Sequence, residues 1–107
     1  MYRLTTPTVS FTFPSDVDMT LADEVYVTFT DTKNNILLEK KDSDLDVTAT
    51  SVSLFLSQED TIDFPTKGIK VQINWTYTDE GVLKRACTDI LSIAVSENLH
   101  PTVITGE

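Results

Sequence analysis

Apolar and polar residues alternate along most of this chain, and the alternation is clearest between Gly68 and Glu97. Ile69, Val71, Ile73, Trp75 and Tyr77 take every second position, with Lys70, Gln72, Asn74, Thr76 and Thr78 between them. A period of two sends one set to a buried face of a strand and the other to a solvated face. Asp79-Glu80-Gly81 then reads as a turn, with Gly81 in the left-handed position of a three-residue loop. The chain returns as a second long strand ending near Glu97. That register sets Tyr77 beside Leu83 and Ile73 beside Cys87, and it forces Arg85 and Asp89 onto the buried face. Leu91, Ile93 and Val95 alternate cleanly again, so a bulge or twist is expected within 85–90.

The same period marks the earlier elements. Residues 8–13 form a first strand with Val9, Phe11 and Phe13 inward, closed by Pro14. Residues 17–23 read as a loop or a single helical turn. Residues 24–31 form a strand with Val25, Val27 and Phe29 inward and Tyr26, Thr28 and Thr30 outward. Thr32 to Asn35 is turn chemistry, and residues 36–41 return antiparallel. Asp42-Ser43-Asp44 breaks that strand. Residues 45–49 carry Leu45, Val47 and Ala49 on one face, and residues 51–56 carry Val52, Leu54 and Leu56 inward. Ser57 can cap a short helical turn over 58–63, with Glu59 and Asp60 at its positive end. Phe64-Pro65 stops that turn, leaving Ile62 and Phe64 to plug the end of the core.

Six to seven short strands with one helical turn predict an all-β fold, an antiparallel two-sheet β-sandwich of immunoglobulin-like type. A small barrel is the alternative. Residues 1–97 make a single domain, and 98–107 an extended C-terminal tail without period.

Composition agrees with a folded domain: 107 residues, 40% of them hydrophobic. The 17 acidic and 8 basic residues give a net charge of -9. That balance argues against nucleic acid and against anionic membrane as partners. No run approaches the ~18 apolar residues that span a bilayer. The opening residues lack the apolar stretch of a secretory signal. Cys87 is the single cysteine, so no internal disulfide forms; in a strand it reads as a small core hydrophobe.

The chemistry-bearing residues do not assemble into a site. His100, the one histidine, sits in the tail, away from any rigid partner for nucleophilic catalysis. One cysteine and one histidine cannot close a zinc site. Asp42, Asp44 and Asp46 mimic a calcium loop, but Val47 replaces its glycine and Ser53 its bidentate acid. Asp16 and Asp18 form a weaker pair. Gly68, Gly81 and Gly106 are too far apart to cradle phosphate. Asn74-Trp75-Thr76 matches a glycosylation sequon by composition, and Trp75 reads as a central core aromatic. The expectation is a non-enzymatic protein with no catalytic, cofactor-binding or metal-binding residues and no cofactors.

Three stretches carry a resemblance. Met1-Tyr2-Arg3-Leu4-Thr5-Thr6-Pro7-Thr8 leads into Phe11-Thr12-Phe13-Pro14; Leu56-Ser57-Gln58-Glu59-Asp60-Thr61 precedes Phe64; and Ile69-Lys70-Val71-Gln72-Ile73-Asn74 forms the penultimate strand. Together they resemble small prophage-encoded structural and accessory proteins of tailed phages of Gram-positive gut bacteria, uncharacterised and of β-sandwich type. The ending, Asn98 to Glu107, departs from that pattern. The resemblance implies a virion-associated subunit of a capsid, tail or baseplate, made in the bacterial host cytoplasm. Its partners would be other phage structural proteins and copies of itself, met through residues 1–7 and 97–107. Two alternatives come from the residues themselves. One is a host-surface or glycan binder using Tyr2, Tyr26 and Tyr77. The other is an acidic inhibitor of a host nucleic-acid-binding protein.

Overall fold

The structure, a computed structural model, describes residues 1–2, 4–14, 17–99, 102 and 104. In chain order the strands are β1 (Thr8–Thr12), β2 (Glu24–Thr30), β3 (Ile36–Lys41), β4 (Asp46–Val47) and β5 (Ser51–Phe55). A one-turn helix, α1 (Gln58–Thr61), precedes β6 (Ile69–Asp79), β7 (Val82–Cys87) and β8 (Leu91–Ile93). They form two antiparallel sheets. The smaller has the order β1-β5-β4; the larger has the order β3-β2-β6-β7, with β8 also paired to β6.

Alternation explains which face each strand buries. Val25, Val27 and Phe29 of β2 and Ile69, Val71 and Ile73 of β6 join Val52 and Leu54 of β5 in one apolar cluster. Phe13, Met19, Leu56, Phe64 and Val95 complete it from the connections. Phe29 and Phe64 stack with ring centroids 5.8 Å apart. Each such side chain taken fully from water contributes roughly 1.5–3 kcal/mol.

Local chemistry sets the ends of the elements. Asp31 Oδ1 accepts from the amides of Lys33 and Asn35 in the β2–β3 turn, at 2.8 and 2.9 Å. Asn34 takes the left-handed conformation there, with φ 68°. Ser57 caps α1 reciprocally: its Oγ accepts from the Asp60 amide, and Asp60 Oδ2 accepts from the Ser57 amide. Within 17–23, Met19–Leu21 form a single 3-10 turn capped by Asp18. Asp42–Asp44 form another such turn where the sequence shows only a break. The expected strand over 45–49 shrinks to Asp46–Val47, and Ala49 is exposed. Thr48 and Ser51 bond each other across a tight turn, which uses up the remaining residues.

The long hairpin differs from its sequence reading by one residue. Its turn is Glu80-Gly81, both with positive φ (51° and 78°). This is the two-residue geometry whose twist matches paired strands. Tyr77 therefore faces Lys84, Thr76 faces Arg85 and Asn74 faces Cys87. A slip of one residue exchanges the two faces of a strand. Arg85 and Cys87 thus move to the outer face and Ala86 to the inner one, so Cys87 is an exposed thiol rather than a core residue. The break falls at Thr88–Ile90. There the Thr88 amide donates to the Ile73 carbonyl at 2.9 Å, and the Thr88 hydroxyl accepts from the Ile73 amide at 3.2 Å. The interruption restores parity, and Leu91 and Ile93 lie opposite Val71 and Ile69.

Met1, Tyr2 and Ile104 bond to the body of the fold. Tyr2 forms a parallel bridge with Ser96. The Met1 nitrogen donates to the Ala94 carbonyl at 3.0 Å, and the Ser96 amide donates to the Met1 carbonyl at 2.7 Å. Leu4 is buried with φ 62°. The Gln58 side chain clasps the Ile104 backbone, donating through Nε2 at 2.7 Å and accepting through Oε1 at 2.8 Å.

Candidate functional site

β6 outruns its neighbours. β2 stops opposite Thr76, so Tyr77, Thr78 and Asp79 pair with β7 alone. The molecule is accordingly elongated, 52 × 33 × 20 Å. A two-stranded ribbon is marginal alone in water, and this one carries apolar side chains into solvent. Val82 and Leu83 are 57% and 67% exposed, and Ile90 and Leu91 in and after the break are 57% and 45% exposed. Neither β7 nor β8 has a strand partner on its far side among the described residues. The same holds for β1, the end strand of the smaller sheet.

These two open edges flank one cleft. Its volume is about 500 Å³, and Phe11, Phe13, Val17, Trp75, Cys87 and Leu91 line it. A second cleft of about 370 Å³ adjoins it under the hairpin, between Leu21, Ala22, Tyr77 and Ala86, with Trp75 shared by both. Trp75 meets the Phe13 ring edge-on, centroids 5.5 Å apart. It is half-buried and caps the end of the core instead of standing at its centre.

Around β2 and the middle of β6 the outer face of the larger sheet is polar and internally bonded. The Tyr26 hydroxyl donates to Glu24 at 2.6 Å, and Thr28 donates to Glu39 at 2.7 Å. Arg85 donates twice to Asn74 Oδ1, at 3.3 and 3.0 Å. The hydrogen bond to Glu24 raises the Tyr26 pKa, and desolvation and the carboxylates of Glu24, Asp42 and Glu39 act in the same direction. Asn74 of the sequon thus lies mid-sheet with its side chain engaged by Arg85.

The other candidate residues lie apart. Tyr26 and Tyr77 differ by an odd number of register steps and occupy opposite faces, while Tyr2 sits beside Ser96; the three tyrosines do not gather. Asp42 Oδ1 accepts from the Val25 amide at 3.1 Å. Asp18 Oδ1 accepts from the Thr20 amide at 3.0 Å. Each therefore has a backbone-fixing role. His100 and Asp16 lie outside the described residues. Among the described residues no three His, Cys, Asp or Glu side chains converge as metal ligands, and no helix is long and apolar enough to cross a membrane.

Sequence reasoning placed Leu83 inward, beside Tyr77, whereas the two-residue turn sets it opposite Thr78 on the outer face. The signal was present in Arg85 and Asp89, whose charges conflict with the inward row. No family model, no curated protein and no solved structure matches this chain.

Proposed function

We propose that this chain is a non-enzymatic structural subunit of a phage particle, an accessory component of capsid, tail or baseplate that works by subunit–subunit association. The observation that carries the reading is the β7–β8 edge. It combines unpaired backbone groups with the exposed side chains Val82, Leu83, Ile90 and Leu91. Solitary folded domains blunt such edges with charge, proline or a covering element. Here Lys84 is tied to Asp79 at 2.9 Å, Arg85 is tied to Asn74, and the apolar side chains are left free to meet a neighbour. Backbone pairing along an edge gives affinity, and the alternate side chains give register. The setting in a particle rests on the sequence resemblance; its partners are copies of this chain and other particle proteins.

The fold belongs to the same proposal, an immunoglobulin-like sandwich. The order β4-β5-β1 against β3-β2-β6-β7, with a helical turn between β5 and β6, supports it. In the immunoglobulin arrangement one sheet runs D-E-B and the other C′-C-F-G. β1 would then hold the second position of that plan, which accounts for its bare outer edge.

Sedimentation velocity over a wide range of concentration tests the reading. Species at multiples of the chain mass, growing with concentration, are expected. A single monomeric species throughout, unchanged on adding the other proteins of the particle, overturns it.

A further inference from the structure

We propose that residues 1–7 form an exchangeable arm, which here folds back on its own body and in the assembly occupies the same seat on a second copy. The inference rests on the association reading above and names the segment that carries it.

Three observations converge. First, the arm crosses from one sheet to the other. Met1 and Tyr2 lie alongside Ala94 and Ser96, just past β8 of the larger sheet. Pro7 already belongs to the smaller sheet, because its carbonyl accepts from the Leu56 amide at 3.0 Å. Second, the crossing is made at a strained residue. Leu4 has φ 62°, a left-handed conformation that branched apolar side chains rarely adopt and that glycine or asparagine would take at less cost. The Thr5 hydroxyl donates to the Tyr2 carbonyl at 2.7 Å and closes the bend. Third, the seat is specific to the arm. Leu4 is buried to 7% exposure, and Met1 packs against the core cluster. Thr61, itself fully buried, donates its hydroxyl to the Thr5 carbonyl at 3.2 Å.

An arm that fits its seat in one chain fits the identical seat in another. Exchange rebuilds on the second copy the contacts that Met1, Tyr2, Leu4 and Thr5 make with the body, the bend at Leu4 included, and the connection that opens is Thr6, between that seat and Pro7. A short connection of this kind is the circumstance in which identical elements trade places between copies. The closed form wins in dilute solution, because the arm's own seat is always at high effective concentration. Neighbours held side by side in an assembly raise the competing concentration and favour exchange. The occupant is therefore a second copy of this chain, and reciprocal exchange makes a symmetric pair.

Disulfide trapping distinguishes the two seatings. In a Cys87→Ser background, one chain carries Tyr2→Cys and the other Ser96→Cys. The two are mixed at high concentration and oxidised. Exchange predicts a covalent pair of twice the chain mass on a non-reducing gel, lost on reduction. The Tyr2→Cys/Ser96→Cys double variant in one chain, oxidised dilute, reports whether the two positions can join at all and is expected to cross-link internally. Association without a cross-linked pair in the mixture, while the double variant closes internally, overturns exchange and leaves the edge reading standing. Failure to associate at any concentration overturns both.

Discussion

Trp75 on β6 lies directly opposite Ala86 on β7, with the Phe13 ring against its edge. This pairing fixes the register of the whole hairpin, since the neighbouring slip would set the Arg85 side chain on that face.

The register has a mutational signature. Ala86→Glu places a charge against Trp75 and should cost about 1–3 kcal/mol. Arg85→Ala and Cys87→Ser, on the outer face, should stay within about 0.5 kcal/mol of the parent. Urea midpoints read all three. Equal losses at positions 85 and 86 would contradict the pairing.

Gly68 and Gly81 should differ. Gly81 has φ 78° and nothing near its missing Cβ, so Gly81→Ala carries a backbone penalty alone, about 1 kcal/mol. Gly68 has φ 101°, and an added Cβ would come within 3.2 Å of the Ile93 carbonyl oxygen. Gly68→Ala should therefore lower the denaturation midpoint further than Gly81→Ala, with unchanged slope.

Acid should act through named carboxylates. Burial pushes the Asp60 carboxyl up, but the Ser57 amide and the Lys40 ammonium, 3.1 Å away, outweigh it and hold the pKa below the usual range. The Asn35 side chain and backbone do the same for Asp31. A depressed folded-state pKa contributes stability above the unfolded value, and that contribution is lost as pH falls through the folded value. Stability should thus fall below the ordinary aspartate range, near pH 4. Asp60→Asn should lower stability at neutral pH and flatten that decline. Ser57→Ala, which removes one half of the cap, should cost about 1 kcal/mol.

The edge can be blunted without touching the core. Leu83→Lys and Ile90→Lys should weaken association at least tenfold, about 1.4 kcal/mol, with thermal stability nearly unchanged. Phe29→Ala is the contrasting case. Phe29 is fully buried and stacked on Phe64, so its removal should cost about 3–5 kcal/mol and leave little folded protein.

The alternation of Val25, Val27 and Phe29, and of Ile69, Val71 and Ile73, was enough to give the all-β class and most of the core, because a period of two is written directly into residue type. The cap at Ser57 was equally plain. What escaped was the turn at Glu80-Gly81. A single glycine fits both a two- and a three-residue loop, and the choice depends on Glu80 accepting a left-handed conformation that its side chain does not advertise. The outward face of Leu83 went with it, since one residue of register decides whether that side chain points inward. Nor does any local pattern show that Leu4 bends the chain across to Ser96, because that contact joins opposite ends of the sequence.

The place of β6 in the larger sheet also bears on how the molecule comes into being. Val27 waits for Ile73, and Phe29 for Val71, across nearly half the chain. A ribosome must therefore release most of the polypeptide before the central ladder can close. Until then the β2–β3 hairpin holds Val25, Val27 and Phe29 without a cover. Non-local pairing of this kind slows folding and prolongs exposure of apolar strands, which makes chaperone capture during synthesis a foreseeable stage in this protein's life.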